Sequence, residues 1–275
     1  MKPLKKLISN VNARKKFDLA FDGFYLPPEK KLPDNIRDEL DNINDQYSKK
    51  RINHPQYMKE IQRIFGITPI QVTEEAKIYL AGFFEGEGSL NVSIKKGDPK
   101  KDIPVYLDPD FNLTQHANGV SNLYLAMEVF QTGRIGLKKG SLATLVYGIG
   151  DRKNLISKIV PFYEKYVYPY GSQVKRRRAE IFKEILALLE NKAHQNKERM
   201  INELLPLWDA MRVHINFENS TFNSLESALA YMNMSPAERQ VIIDQEKLKR
   251  EQKKMRKGTK NIEKNNRVRK KKTQK

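Results

Sequence analysis

Leu80-Ala81-Gly82-Phe83-Phe84-Glu85-Gly86-Glu87-Gly88-Ser89 is the stretch whose reading decides the fold. Upstream of it Thr73 is placed to cap a helix, and Glu74 and Glu75 follow in the turn where the helix dipole is positive. Ile78, Leu80 and Ala81 supply apolar contacts, and Gly82 lets a second backbone approach closely. Gly86 and Gly88 are expected to take the left-handed conformation that stops a helix. Glu85 and Glu87 then stand at the negative end of the dipole, an unfavourable place unless a cation is bound nearby. A hard divalent cation with oxygen ligands fits that requirement.

After this helix the period changes from helical to alternating. Leu90, Val92 and Ile94 alternate with Ser89, Asn91, Ser93 and Lys95, which predicts a strand with one apolar and one polar face. Gly97 to Pro104 reads as a charged loop and Val105 to His116 as a second strand. A helix over Val120 to Phe130 turns Leu123, Met127 and Phe130 inward. A hairpin follows, with strands Arg134 to Lys138 and Leu142 to Ile149 around Lys139-Gly140-Ser141. Leu155, Ile156 and Ile159 mark another helix, and Gln173 to Leu189 one more, with Val174, Ile181, Ile185, Leu188 and Leu189 on one face. The first turn of that last helix holds Lys175, Arg176, Arg177 and Arg178. Four cations at the positive end of a dipole call for an anion, and a phosphate backbone would serve.

Composition bounds the function. The chain has 275 residues, of which 39% are hydrophobic, so it can bury a core, and no apolar run approaches a membrane span. With no cysteine, disulfides and thiolate zinc sites are excluded, and His54, His116, His194 and His214 lack metal-ligand spacing. The net charge of +18 points to a polyanionic partner. Its distribution is uneven: Lys247 to Lys275 holds 15 Lys or Arg against Glu251 and Glu263, or +13, and the other 246 residues hold +5. Met1 to Phe17 is basic and free of acids, as in an organellar transit peptide, though poor in Arg and Ser. Together with the Lys and Asn richness this predicts an organelle.

The Leu80–Ser89 stretch resembles the signature of the LAGLIDADG homing endonucleases, and the resemblance extends over roughly Thr73 to Leu189. It is similar to the single-motif members encoded in introns of algal chloroplast ribosomal RNA genes. The resemblance implies an α+β fold, the αββαββα half-saddle, with extra C-terminal helices. It implies that two motif helices pack side by side and that the last acid of each, here Glu87, binds metal with help from the Gly86 carbonyl. Glu stands where many relatives carry Asp. Phe111-Asn112-Leu113-Thr114-Gln115 is similar to a strand segment whose Gln orders solvent around the nucleophile, which assigns that role to Gln115. The start of the last helix is similar to one whose Lys assists at the scissile phosphate, which assigns that role to Lys175.

One motif provides one essential carboxylate, so cutting two strands implies a homodimer with Ala81, Gly82 and Glu85 near its interface. Asn91, Ser93, Lys95, Asn112, Lys138, Lys139, Arg176 and Arg177 are then the DNA-binding residues. The implied activity is Mg²⁺- or Mn²⁺-dependent, site-specific double-strand DNA cleavage that promotes intron mobility. The alternatives are an RNA maturase acting on intron RNA and a non-catalytic nucleic-acid-binding protein. The expected organisation is an N-terminal extension at 1–71, the endonuclease core with C-terminal helices at 72–215, a helical region at 216–246 and a basic, disordered tail at 247–275.

Overall fold

The alternation expected from Leu90 to Ile94 is a strand with Leu90 and Ile94 buried and Val92 between them half-buried. In the computed structural model, which describes Leu26 and residues 30–212, 221–249 and 251–252, it is β1 (Gly88–Lys96). β2 (Val105–His116) follows, with Val105, Leu107, Phe111 and Leu113 buried and alternate positions open. β3 (Arg134–Leu137) and β4 (Thr144–Ile149) complete a four-stranded sheet in the order β1-β2-β4-β3. Antiparallel register sets Asn112 against Gly148 and Gly148 against Arg134. Because side chains alternate across a pleated strand, these positions share the sheet's open face. The segments Met1–Phe17, Pro27-Pro28, His214 and most of the basic tail lie outside the described residues.

Helices flank the strands. α1 (Asp34–Ser48) and α2 (His54–Phe65) precede α3 (Glu74–Glu87), the helix of the motif. α4 (Val120–Phe130) joins β2 to the β3–β4 hairpin, burying Leu123, Met127 and Phe130 as the period predicts. α5, residues 152–167, is one helical run with π-type turns at Leu155–Ile159 and Tyr163–Val167. α6 (Gln173–Glu190) follows, and the sequence from α3 to α5 is the αββαββα order. In α6 Val174 is 66% exposed, so the buried face is Ala179, Ile181, Phe182, Ile185, Leu186 and Leu189. α7, residues 197–210, buries Leu204 and Trp208, and α8 (Leu225–Asn233) and α9, residues 236–249, come last.

Aromatic rings fix the helices to the sheet's inner face. Phe84 of α3 lies 4.4 Å from Phe111 of β2, Phe111 lies 5.9 Å from Phe130 of α4, and Phe130 lies 5.0 Å from Phe162 of α5. Such pairs add about 0.5–1.5 kcal/mol each beyond their burial. The described residues form two compact units. One holds residues up to Ser93, Asp108–Asn191 and Ala210–Arg212, and the other holds Ile94–Leu107, Lys192–Asp209 and the residues beyond Arg212.

The N-terminal helices belong to the first unit and close its sheet edge. Tyr57 is fully buried, and its hydroxyl accepts the Ile135 N–H at 2.9 Å. That hydroxyl donates toward the Ile135 carbonyl (3.1 Å) or Asn44 Oδ1 (3.0 Å), and Asn44 Nδ2 donates to the same carbonyl at 2.9 Å. Both ladder groups of Ile135 on edge strand β3 are therefore served by side chains from α1 and α2, which would otherwise be an unpaired edge. Tyr57→Phe keeps the ring but strands a buried N–H, so it should cost about 1–3 kcal/mol in urea denaturation. An unchanged midpoint would separate these helices from the stability of the sheet.

Candidate active site

α3 starts as its sequence predicts, with Thr73 Oγ1 accepting the Ala76 N–H at 3.2 Å and Glu74 and Glu75 in the first turn. Its covered side is Leu80, Ala81 and Phe84. Ile78 (63% exposed), Tyr79 (54%), Gly82 and Gly86 fall on the open side, as residues three and four apart on a helix must. A Cβ on Gly82 or Gly86 would meet nothing of the protomer within 4 Å.

The helix ends differently from the expectation. Gly88 is its last cap at φ −82°, ψ 144°, and Gly86 continues the helix, so neither takes a left-handed backbone. The chain passes straight into β1, and Gly88 is needed for space, since a Cβ there would collide with the Phe84 ring and carbonyl.

The charges at this end are resolved by an exchange with α6. Ser172 caps α6, its hydroxyl accepting the Lys175 N–H at 3.4 Å. The Ser172 N–H donates to Glu85 Oε1 at 3.0 Å, while the Lys175 ammonium donates to the carbonyls of Glu85 and, at 3.2 Å, Gly88. Glu85 sits at the wrong end of its own helix dipole and the right end of its neighbour's, and Lys175 does the same in reverse. A lysine thus supplies the cation that the acidic helix end calls for. Burial pulls the Lys175 ammonium below its usual range, and the charges of Glu85 and Glu87 oppose that pull. Gly171 leaves room beside Glu85 Oε2, which is buried without a partner, as is the Tyr163 hydroxyl. Burial first, then the Glu85 charge, push that phenol up to about 12.

Of the three residues expected at the dimer face, Gly82 is the one on the open side of α3. Ala81 is 5% exposed and turned into the protomer, and the Glu85 side chain is turned to α6. Ile78 and Tyr79 share the open side with Gly82. Glu87 is exposed beside Lys175, and the Gly86 carbonyl lies in the last turn, where helical carbonyls have no intrahelical partner. Gln115 is the next-to-last residue of β2, at the inward-facing parity opposite Leu145, and its side-chain Oε1 accepts the N–H of His116 at 2.8 Å. The structure therefore joins Glu87 and Lys175 but ties Gln115 to its own strand end.

The basic first turn of α6 is mostly engaged by backbone oxygen. Arg176 Nε donates to the Gly171 carbonyl at 2.8 Å. Arg178 donates to the carbonyls of Leu90 (2.7 Å) and Met211 (2.9 Å) and to Asn91 Oδ1 (3.2 Å). Arg177 is the outward one, 72% exposed and 3.6 Å from Glu180.

On the open sheet face a polar network sets the amides. Asn91 Nδ2 donates to Asp110 Oδ1 at 3.2 Å, and Asn112 Nδ2 donates to the same oxygen at 2.5 Å. Ser89 Oγ donates to Asn91 Oδ1 at 2.8 Å, and Gly148 gives Asn112 its room. Ser93 and Lys95 are exposed along β1, and Lys138 and Lys139 are exposed at the hairpin turn, where Gly140 has φ +84°. Asp110, Gly148 and Arg134 went unread in the sequence, and Arg178 was read only as one of four cations for a phosphate. The alternation of β2 already put Asp110 on the face of Asn112, whereas nothing in the sequence marks Arg178 as a partner of Asn91.

A LAGLIDADG endonuclease family profile matches residues 80–186. The DNA endonuclease I-CeuI of Chlamydomonas moewusii is 47% identical over 206 residues, which cover 75% of this chain and 94% of that protein. This chain belongs to the LAGLIDADG endonuclease family. Among solved structures, the group I intron-encoded homing endonuclease I-CeuI complexed with DNA matches with a TM-score of 0.72 at 45% identity, covering 76% of this chain and 100% of that one. The archaeal intron-encoded homing endonuclease I-Vdi141I complexed with DNA matches at 0.51 and 29% identity, covering 58% of this chain and 96% of that one.

The exchange between α3 and α6 makes a prediction of its own. Glu85→Ala removes the carboxylate that the Ser172 N–H donates to and loosens the placement of Lys175. Cleavage under single-turnover conditions should fall about tenfold or more while DNA affinity changes little, because the ammonium that the resemblance assigns to the scissile phosphate is then misplaced. Glu85→Gln keeps an acceptor and should recover part of the rate. Equal rates for wild type and Glu85→Ala would remove the exchange from the active site's support.

Proposed function

We propose that this protein is a site-specific endonuclease that hydrolyses both strands of a DNA target, works as a homodimer and, encoded in an intron, promotes that intron's mobility. The observation that carries the reading is an exposed carboxylate, Glu87, within the electrostatic reach of a held ammonium, Lys175, at the end of a helix whose other face is open, apolar and glycine-bearing. Family membership and the DNA complexes of its relatives support it. No described helix is long and apolar enough to cross a membrane.

Among the described residues no cluster of three or more His, Asp or Glu is arranged around a metal position. The donors at hand are the Glu87 carboxylate and the Gly86 carbonyl, hard oxygens that fit Mg²⁺ or Mn²⁺, and one carboxylate per protomer suits a site completed at a two-fold axis. Such an ion, when bound, polarises a phosphodiester and lowers the pKa of attacking water. Lys175, fixed by two carbonyls, keeps a positive charge where charge builds on the phosphate. Gln115 orders solvent once its amide leaves the His116 N–H. Asn91, Ser93, Lys95, Asn112, Lys138, Lys139, Arg176 and Arg177 face DNA, with Asp110 and Arg178 holding the amides toward base edges. We place the protein in an organelle, the chloroplast before the mitochondrion. The exposed Glu87 favours cleavage over an RNA maturase role, because RNA binding has no use for a carboxylate there.

Glu87→Gln keeps size and polarity and removes the ligand charge. It should abolish cleavage of target DNA while gel-shift affinity stays within a few-fold, and retained cutting would take Glu87 out of the reaction.

Gly82→Leu tests the interface without disturbing the protomer, since the added side chain meets only open space there. Sedimentation should show monomer in place of dimer, because helices at 8–10 Å cannot close over a leucine at that point. A dimer of normal mass would place the interface elsewhere.

A further inference from the structure

Arg239 is 5% exposed although its guanidinium is always charged. Its helix, α9, begins at a cap in which Ser235 Oγ accepts the Glu238 N–H (3.3 Å) and Glu238 Oε2 accepts the Ser235 N–H (2.7 Å). From there the guanidinium reaches four backbone carbonyls. Those of Tyr231 (3.2 Å) and Met232 (2.6 Å) lie in the last turn of α8, where carbonyls lack helical partners and a cation is favoured. Those of Pro99 and Lys101, each at 3.0 Å, lie in the loop that joins β1 to β2. Burying a guanidinium is costly unless its donors are filled, so these bonds hold the loop's backbone firmly.

Two more ties act on the same segment, all within the second unit. Asp102 pairs with Lys197 at 3.2 Å. At the base of the loop Lys96 pairs with Glu246 and lies 5.5 Å and 5.2 Å from the ring centroids of Phe222 and Tyr231. Internally, the Gly97 N–H donates to the Pro104 carbonyl (2.7 Å) and the Lys100 N–H to Asp98 Oδ1 (3.0 Å). The backbone is held while Lys100 and Lys101 are exposed.

We infer that Arg239 is a positioning residue for target specificity, fixing the 97–104 loop so that Lys100 and Lys101 meet DNA at set places. The inference rests on the proposal that the chain selects a DNA site. Two lysines on a loose loop add affinity for any phosphate backbone, whereas a fixed loop can set an ammonium against a base edge. The helices α8 and α9 then serve the reading of DNA without touching it.

The test is selection of bound sites from a randomised duplex library by the full-length protein in Ca²⁺, with stability measured in parallel. The Lys100→Ala/Lys101→Ala double variant identifies the base positions that the loop reads. Arg239→Lys keeps the charge with fewer donors, and Glu246→Gln frees Lys96 without opening the core. Both should weaken preference at those same positions about tenfold, leaving the rest of the site unchanged. Unaltered preferences in the folded variants, or a loss spread evenly over the site, would overturn the inference while leaving the endonuclease proposal standing. A wild-type protein that selects no site would overturn both.

Discussion

Two helix ends that trade charges hold the candidate active site together. Glu85 closes α3, where a carboxylate is repelled by the carbonyl end of the dipole, and Lys175 opens α6, where an ammonium is repelled by the N–H end. Each is relieved by reaching across, Glu85 Oε1 to the Ser172 N–H and Lys175 Nζ to the Glu85 and Gly88 carbonyls. Each local conflict is removed by the partner helix, so the two helices specify one another's position. The consequence for chemistry is that Lys175 is fixed beside Glu87 before any DNA arrives.

The sheet obeys the same economy of polar groups. Its inner face is aromatic and aliphatic, from Phe84 against Phe111 to Phe130 against Phe162. On the outer face Asp110 gathers the amides of Asn91 and Asn112, and Arg178 reaches Asn91 from α6. An amide whose donor and acceptor ends are fixed by neighbours presents a defined pattern to a base edge, whereas a rotating one presents an average. Sheet and active site are thereby linked, because α6 carries both Lys175 and Arg178.

The elements outside the αββαββα core act on its exposed backbone. Tyr57 and Asn44 occupy the free edge of β3, and Arg239 occupies loop carbonyls beyond β1. At the β3 edge, side chains of α1 and α2 do this where a further strand would otherwise be required.

What the sequence determined by itself is what depends on period and local caps. Strand alternation at Leu90–Ile94, the Thr73 cap and the inward Leu123, Met127 and Phe130 were legible because each follows from neighbours a few residues away. The motif named the family and singled out Glu87, and the start of the last helix singled out Lys175. Only the tertiary structure decided where the long-range partners fall. The glycines of the motif were legible as special, but the reason for Gly88 is its contact with Phe84, not a left-handed turn. Ala81 and Gly82 adjoin in sequence yet face different sides of α3, since one residue is about 100° of helix turn. The basic run at 175–178 read as a phosphate site, while Lys175, Arg176 and Arg178 are taken up by carbonyls, those for Lys175 and Arg178 lying more than 30 residues away. A backbone carbonyl has the same covalent form at every residue, so sequence carries no mark of which ones a cation will find.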